Sequence, residues 1–373
     1  MTFTRILRRT APTRAYGVPA VLVVLVMAVF LSFPPAPASA SAPASREQVP
    51  VYAYFYQWFN PTSWNRAKVD HPLAGDYSSD DRAVLRQQIG QAQSAGLTGF
   101  LTSWKSTPVL NRRLQMLLDE AGPRHFDIGV VYEALDFRRR PLPIATVRHD
   151  MVELVTRWGP QLSSRFGRPV IIWTGTQHYS VADVRRVRAA IGGRADLLAS
   201  AKSAEEYRRL AAYVDGDAYY WSSANPGTAY TRRRLHDLAA AVHGHHGIWL
   251  APALAGFDGR TLGHTRIVPR DQGQTLLKSF QDALGSRPDA VGVISWNEWS
   301  ENTYIEPGHR YGRQELDALA GVLPHQHGVP PASRTSPLST PPWTGMQAAG
   351  ALAAGTLVVG AFVARRARLR SRR

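Results

Sequence analysis

The sequence predicts an α/β protein built as a (β/α)8 TIM barrel. Three observations carry that reading: eight short apolar or aromatic runs between residues 50 and 325, a stretch of helical spacing after each, and no second domain's worth of chain left over. An open doubly wound sheet fits the count less well.

The elements follow in order. Residues 51–59 (VYAYFYQWF) read as the first strand and 81–94 as its helix, with Ser79 as N-cap and Gly96 as the stop. Residues 97–104 and 110–120 form the second pair, closed by Gly122. Residues 128–135 and 145–158 form the third, ended by Gly159. Residues 170–174 (VIIWT) read as the fourth strand, and 181–191 follows it up to Gly192. Residues 197–201 pair with 204–214, which Ser203 caps, and 218–222 with 230–242. The last two pairs are 248–254 with 273–284, and 291–296 with 314–322.

Both ends of the chain read differently. Arg5, Arg8, Arg9 and Arg14 precede an apolar run and then a Pro/Ala/Ser stretch, the order of a secretory signal over residues 1–42, cleaved after Ala40 or Ala42. The barrel domain then spans 43–325, and the Pro/Ser/Thr-rich residues 326–343 read as a stiff linker. Residues 344–364 carry no charge and are about the ~20 residues a bilayer needs. The arginines of the tail, 365–373, are expected on the cytoplasmic side. The expectation is a single-pass cell-membrane protein with its barrel outside. No LPxTG pentapeptide points to covalent wall attachment.

The formal charge of +16 is mostly topological: +4 belongs to residues 1–49 and +7 to 326–373, leaving +5 on the barrel. Nucleic acid is therefore not an expected partner. With no cysteine, disulfide and thiolate chemistry are excluded.

The chemistry concentrates in residues 295–307, SWNEWSENTYIEP, directly after the eighth strand. Glu298 and Glu301 stand three apart among aromatic and amide side chains, where a parallel α/β fold binds its ligands. The other strand ends add Tyr56, Gln57 and Trp58, then Ser103, Trp104 and Lys105, Tyr132 and Glu133, Trp173, Tyr220 and Trp221, and Asp258. Aromatic faces stack on pyranose rings, and amides and carboxylates bind hydroxyls, so an oligo- or polysaccharide is the expected partner. Tyr56, Trp58, Trp104, Lys105, Tyr132, Glu133, Trp221, Asp258, Trp296, Asn297, Trp299 and Tyr304 are the candidate binding residues. Glycoside cleavage needs a proton donor and a second carboxylate, roles Glu298 and Glu301 can fill. Glu133 either binds hydroxyls or pairs with a cation such as Arg138. Glu306 reads as structural or outer-shell. His243, His245 and His246 follow a helix and read as a solvated helix end, and Gly256 and Gly259 lack the context of a phosphate loop. No metal and no cofactor is expected.

The segment from Trp296 to Pro307 resembles the Asn-Glu-Trp-x-Glu-Gly-Thr-x-Ile-Glu-Pro signature of glycoside hydrolase family 99, the endo-α-1,2-mannosidase and endomannanase family, and of its WbsX-like relatives. The stretch His71-Pro-Leu-Ala-Gly-Asp-Tyr-Ser-Ser-Asp80 is similar to that family's Gly-x-Tyr-Ser-Ser-x-Asp, residues 95–104 to its second strand, and Val131-Tyr-Glu133 to its third. The resemblance implies metal-independent, endo-acting, retaining hydrolysis of α-mannosides. It implies Glu301 as general acid/base and Glu298 as the base toward the sugar's 2-hydroxyl, through a 1,2-anhydrosugar. Asn302 departs from the family's Gly. The rival expectations are a non-catalytic glycan-binding protein on the same barrel and an α-glucan hydrolase.

Overall fold

The computed structural model describes residues 48–163 and 165–323. The expected signal, linker, membrane helix and basic tail lie outside the described residues. Among the described residues no helix is long and apolar enough to cross a membrane.

In chain order the elements are β1 (Val51–Phe55), α1 (Arg82–Ser94), β2 (Gly99–Trp104), α2 (Pro108–Ala121), β3 (Asp127–Tyr132), α3 (Ile144–Arg157), β4 (Val170–Trp173), α4 (Val181–Ile191), β5 (Asp196–Ala199), α5 (Ala204–Leu210), β6 (Gly216–Ala218), α6 (Ala229–His243), β7 (Ile248–Leu254), β8 (Phe257–Asp258), β9 (Ile267–Val268), α7 (Gln274–Gly285), β10 (Ala290–Ile294) and α8 (Gln314–Val322). Strands β1 to β7 and β10 are all parallel and form a closed barrel. The ring closes where β10 pairs with β1, Val51 opposite Val291, and with β7, Ile294 opposite Leu254. The short β8 and β9 make a separate antiparallel hairpin after β7.

Successive strand residues alternate between two cores, as the two-residue period of a strand requires. Tyr52, Tyr54, Tyr56, Leu101, Val131, Ile172, Leu198, Leu250 and Ile294 pack into one cluster, which fills the barrel. Ala53, Phe55, Phe100, Val130, Ile171, Trp249 and Val293 belong to the other, with helix residues such as Leu114, Leu154, Val187, Leu238, Phe280 and Leu316. The parity of each strand thus decides whether a side chain at its upper end reaches the mouth or the helices.

Local signals explain most boundaries. Thr107, Ser180, Ser203 and Thr228 cap their helices through side-chain oxygens. Asp81, not Ser79, caps α1, accepting from the N–H of Ala83 at 2.8 Å. Ser79 instead accepts from the N–H of Phe59 at 3.1 Å, tying the first βα loop to the strand end. Gly96, at φ +84°, turns the chain into β2, and Leu323 packs 3.1 Å from where a Cβ would stand. Of the expected solvated histidine cluster, His243 is half-buried and its Nε2 lies 3.2 Å from Asp289, whereas His245 and His246 are exposed.

Candidate active site

The chain leaves β10 into a tightly closed loop that carries the two carboxylates. Ser295 N–H donates to Thr303 O at 2.9 Å, Ile305 N–H to Ser295 O at 2.8 Å, and the Ser295 and Thr303 hydroxyls meet at 2.9 Å. Ser295 Oγ also accepts from the N–H of Glu298 at 2.8 Å. Small hydroxyl residues at 295 and 303 let the two arms approach this closely. Between them the chain reverses at Asn302, whose φ of +57° lies in the left-handed region. Glycine enters that region freely, and asparagine is among the few others that tolerate it, so the departure noted in the sequence preserves the backbone shape.

Neighbouring elements hold the loop from outside. Asp258 N–H on β8 donates to Glu301 O at 2.9 Å, and Thr261 Oγ1 to Ser300 O at 3.0 Å. The buried Arg270 donates to Asn302 O at 3.0 Å, to Tyr304 O at 2.7 Å and to Glu315 at 3.2 Å. Its guanidinium lies 4.4 Å and 4.6 Å from the ring centroids of Tyr304 and Tyr311. Farther along, the Tyr304 hydroxyl donates to Asp70 at 2.6 Å. A Cβ on Gly308 would stand 2.4 Å from that Asp70 carboxylate, which is why residue 308 has no side chain.

Both carboxylates are buried, Glu298 at 2% and Glu301 at 0% exposure. Burial pushes Glu298 above the usual carboxylate range, partly countered by the Ser300 N–H, 3.0 Å from Oε1, and by the Lys68 ammonium. Burial raises Glu301 further, because Glu298 adds like-charge repulsion. Ser222 and the Arg139 charge counter part of that rise. Yet neither Glu301 oxygen has a hydrogen bond of normal geometry among the described residues. Buried, unsatisfied oxygens of this kind are costly. Glu133 is also raised by burial, held in position by the Ser103 hydroxyl at 2.9 Å and moderated by Lys105 and Arg139.

A second network supports the mouth. Asn297 accepts from the N–H of Tyr56 at 2.7 Å and donates to Tyr56 O at 2.9 Å and to the Tyr77 hydroxyl at 3.1 Å. Tyr77 in turn donates to Glu306 at 2.8 Å, as do Gln88 at 2.6 Å and the Trp299 indole at 3.2 Å. Glu306 is thus a buried hub that joins the first βα segment to the loop, and burial pushes it up to about 7. The Tyr56 hydroxyl meets that of Tyr220 at 3.0 Å, and both phenols are raised by burial and by the nearby charges of Glu298 and Glu301.

The expected site residues divide into four groups. Tyr56, Trp58, Lys105, Glu133, Trp221, Asn297, Glu298 and Glu301 all follow the C-terminal ends of strands, and the charges of Glu298, Glu133 and Glu301 all bear on the Tyr56 phenol. Trp104, Tyr132 and Trp296 do not stand at the rim. They are fully buried in the layer between strands and helices, where Tyr132 donates to Asp150 at 2.9 Å and Trp296 packs on Phe100. Parity is the reason for the first two: Leu101 and Val131 face inward, so Trp104 and Tyr132, an odd number of residues away, face outward. Trp173 is placed likewise. Trp296 lies two residues beyond inward-facing Ile294, past the end of β10, where the alternation no longer holds. Trp299 and Tyr304, stacked at 3.8 Å, are buried behind the loop as its backing. Asp258 is bound by its own loop, through Arg260 at 2.7 Å, and is held below the usual range by it. Lys68 and Arg139 do not figure among the expected site residues, since each comes from a loop without periodic pattern, and Ser222 figures there only as the end of the sixth strand, which in fact stops at Ala218. Among the described residues no group of three His, Cys, Asp or Glu is arranged to hold a metal ion.

With the geometry in hand, the fold can be compared with solved structures. That of the family 99 endo-α-mannosidase from Bacteroides thetaiotaomicron in complex with bis-tris-propane matches with a TM-score of 0.66 at 19% identity, covering 73% of this chain and 96% of that one. Another structure described as the same enzyme gives 0.66 at 17% identity, over 76% and 98% of the two chains. A protein described as glycoside hydrolase-like gives 0.60 at 15%, over 74% and 94%. No family model and no curated protein sequence matches the chain. The barrel is therefore of the kind seen in family 99 endo-α-mannosidases, and the likeness at these identities concerns the fold.

Proposed function

We propose that the chain is a retaining glycoside hydrolase acting on an α-linked glycan, an α-mannoside in the first instance. The observation that carries this reading is the pair Glu298 and Glu301, buried together in the loop at the C-terminal mouth of the barrel, with both carboxyls raised by burial and Glu301 further pushed by the Glu298 charge. The likeness in fold to the endo-α-mannosidases supports the choice of substrate.

The division of labour follows from the environments. Glu298 keeps an N–H donor and a nearby ammonium, which favour its anion, so it is the base. It takes the proton of the sugar's 2-hydroxyl as that oxygen attacks the anomeric carbon. The bond from that carbon to the leaving oxygen breaks, and Glu301 delivers its proton to the departing group. Water then adds to the anomeric carbon with Glu301 as base, the ring bond to the 2-oxygen opens, and Glu298 returns the proton. Two displacements retain configuration. On this reading Glu133 and Tyr56 bind hydroxyls, and Trp58 and Trp221, both half-buried, stack on sugar rings.

The test is Glu301→Gln and Glu298→Gln against α-mannans, α-glucans and wall arabinomannans. Each variant should lose about a hundredfold or more in turnover with unchanged melting. Near wild-type rates in either would reject the assignment. Cleavage of α-glucans alone would favour the glucanase alternative, and glycan binding without turnover in the wild type a lectin-like one. From the sequence we further infer a secreted barrel (43–325), exported by a signal at 1–42 and held by a single membrane span at 344–364 behind the linker 326–343, with residues 365–373 in the cytoplasm.

A further inference from the structure

We propose that Phe137 is the platform of an outer sugar subsite, on which a glycan seated at Glu298 and Glu301 stacks a more distant residue. The inference rests on the glycosidase reading above and extends it to the part of the chain that binds away from the cleaved bond. Scattered exposed apolar residues are ordinary, so exposure alone decides nothing. Phe137 differs in degree and in setting. It is 91% exposed, against 64% for Tyr230, the next large hydrophobic among those described.

Its setting is a built hairpin at the barrel mouth. The loop leaves Glu133 at the end of β3, and Phe137 lies four residues on, at most about 14 Å along an extended chain. At its base, Leu142 N–H donates to Ala134 O at 2.8 Å, and the Tyr179 hydroxyl lies 2.9 Å from Ala134 O and 3.0 Å from Leu142 O. Leu135 and Pro141 form a bridge above this. At the tip, the Asp136 carboxylate accepts from the N–H groups of Arg138 at 2.8 Å and Arg140 at 2.9 Å, while Asp136 N–H donates to Arg140 O at 2.9 Å. The backbone around the ring is thereby ordered before any ligand arrives, which lowers the entropy cost of binding.

The flanking groups connect the ring to the site. Lys105 donates to Leu135 O at 3.0 Å, and its ammonium lies 5.8 Å from the Phe137 ring centroid. The same ammonium acts on Glu133, and Arg139, two residues past Phe137, acts on both Glu133 and Glu301. A glycan leaving the carboxylates past Glu133 would therefore meet hydroxyl-binding cations and then a bare aromatic face. That is the composition of a sugar subsite.

The experiment compares α-mannooligosaccharides of increasing length with a short aryl α-mannoside, using wild type, Phe137→Ala and Phe137→Trp. In Phe137→Ala the ratio of kcat/KM for long over short substrates should fall about two- to tenfold, the worth of an aromatic contact, through KM. Phe137→Trp should restore it. Binding of the longest oligosaccharide to Glu301→Gln should weaken by the same factor when Phe137→Ala is added. An unchanged ratio, or an equal loss on long and short substrates, would overturn the subsite while leaving the hydrolase reading intact. If wild type cleaves no α-mannoside, the parent reading fails and this one fails with it.

Discussion

Glu298 and Glu301 share a loop and a burial, yet their oxygens meet different company. Glu298 accepts an N–H bond and feels an ammonium, whereas Glu301 has no bond of normal geometry among the described residues and feels the Glu298 charge. Ionised Glu298 appears only as pH rises through its raised pKa, and protonated Glu301 disappears only as pH rises through a still higher one. A bell-shaped kcat/KM profile should follow, with its acid limb above the ordinary carboxylate range and its optimum displaced upward. Steady-state rates across pH check this, and an acid limb at the ordinary glutamate value would count against the assignment. These two residues were legible because they are contiguous with a β-branched apolar run whose exit marks the mouth. Trp104 and Tyr132 were misplaced because being last in a strand does not say which face a residue takes, and Trp296 because the strand ends two residues before it. Lys68 and Arg139 left no trace, since loop side chains reach a site by turns that carry no period.

At the scale of elements, the loop after β10 owes its shape to parts distant in sequence. Among the described residues, the eight barrel strands and the eight α-helices were readable as alternating periods, but β8 and β9 are two residues each, too short to show one, and they supply Asp258 and the turn with Thr261 that hold the loop. Arg270, just beyond β9, completes the clamp. Replacing it by Met should destabilise the fold by about 3–5 kcal/mol, because Glu315, at 3% side-chain exposure, would keep its charge without its partner. Adding Glu315→Gln should recover much of that stability in chemical denaturation. Turnover should stay low, since the carbonyls of Asn302 and Tyr304 would still lack their donor and Glu301 its fixed backbone. If kcat returned along with stability, the clamp would be no more than a structural brace.

The barrel closes where its first and last described elements meet: β10 pairs with β1, and Leu323 at the end of α8 packs against the turn at Gly96 that leads from α1 into β2. Leu316, Leu319 and Leu323 are all buried there, with Glu315 beneath Arg270. The last helix is thus part of the barrel's seal, so a piece spanning residues 43–325 should unfold in a single cooperative transition and remain soluble. Ending the piece at residue 313 removes that row. It loses the buried leucines at about 2–5 kcal/mol each, a sum comparable with the stability of a whole domain, and should fail to fold. Circular dichroism and urea titration of the two pieces distinguish these outcomes. Equal stability would mean that α8 is an appendage. The inferred anchor then gives the complementary expectation: the full chain should sediment with membranes and the 43–325 piece should not, because what seals the barrel lies before residue 324 and what is read as the span begins at 344. A full chain that stays in the soluble fraction would remove the anchor from the proposal and leave the barrel's chemistry unaffected.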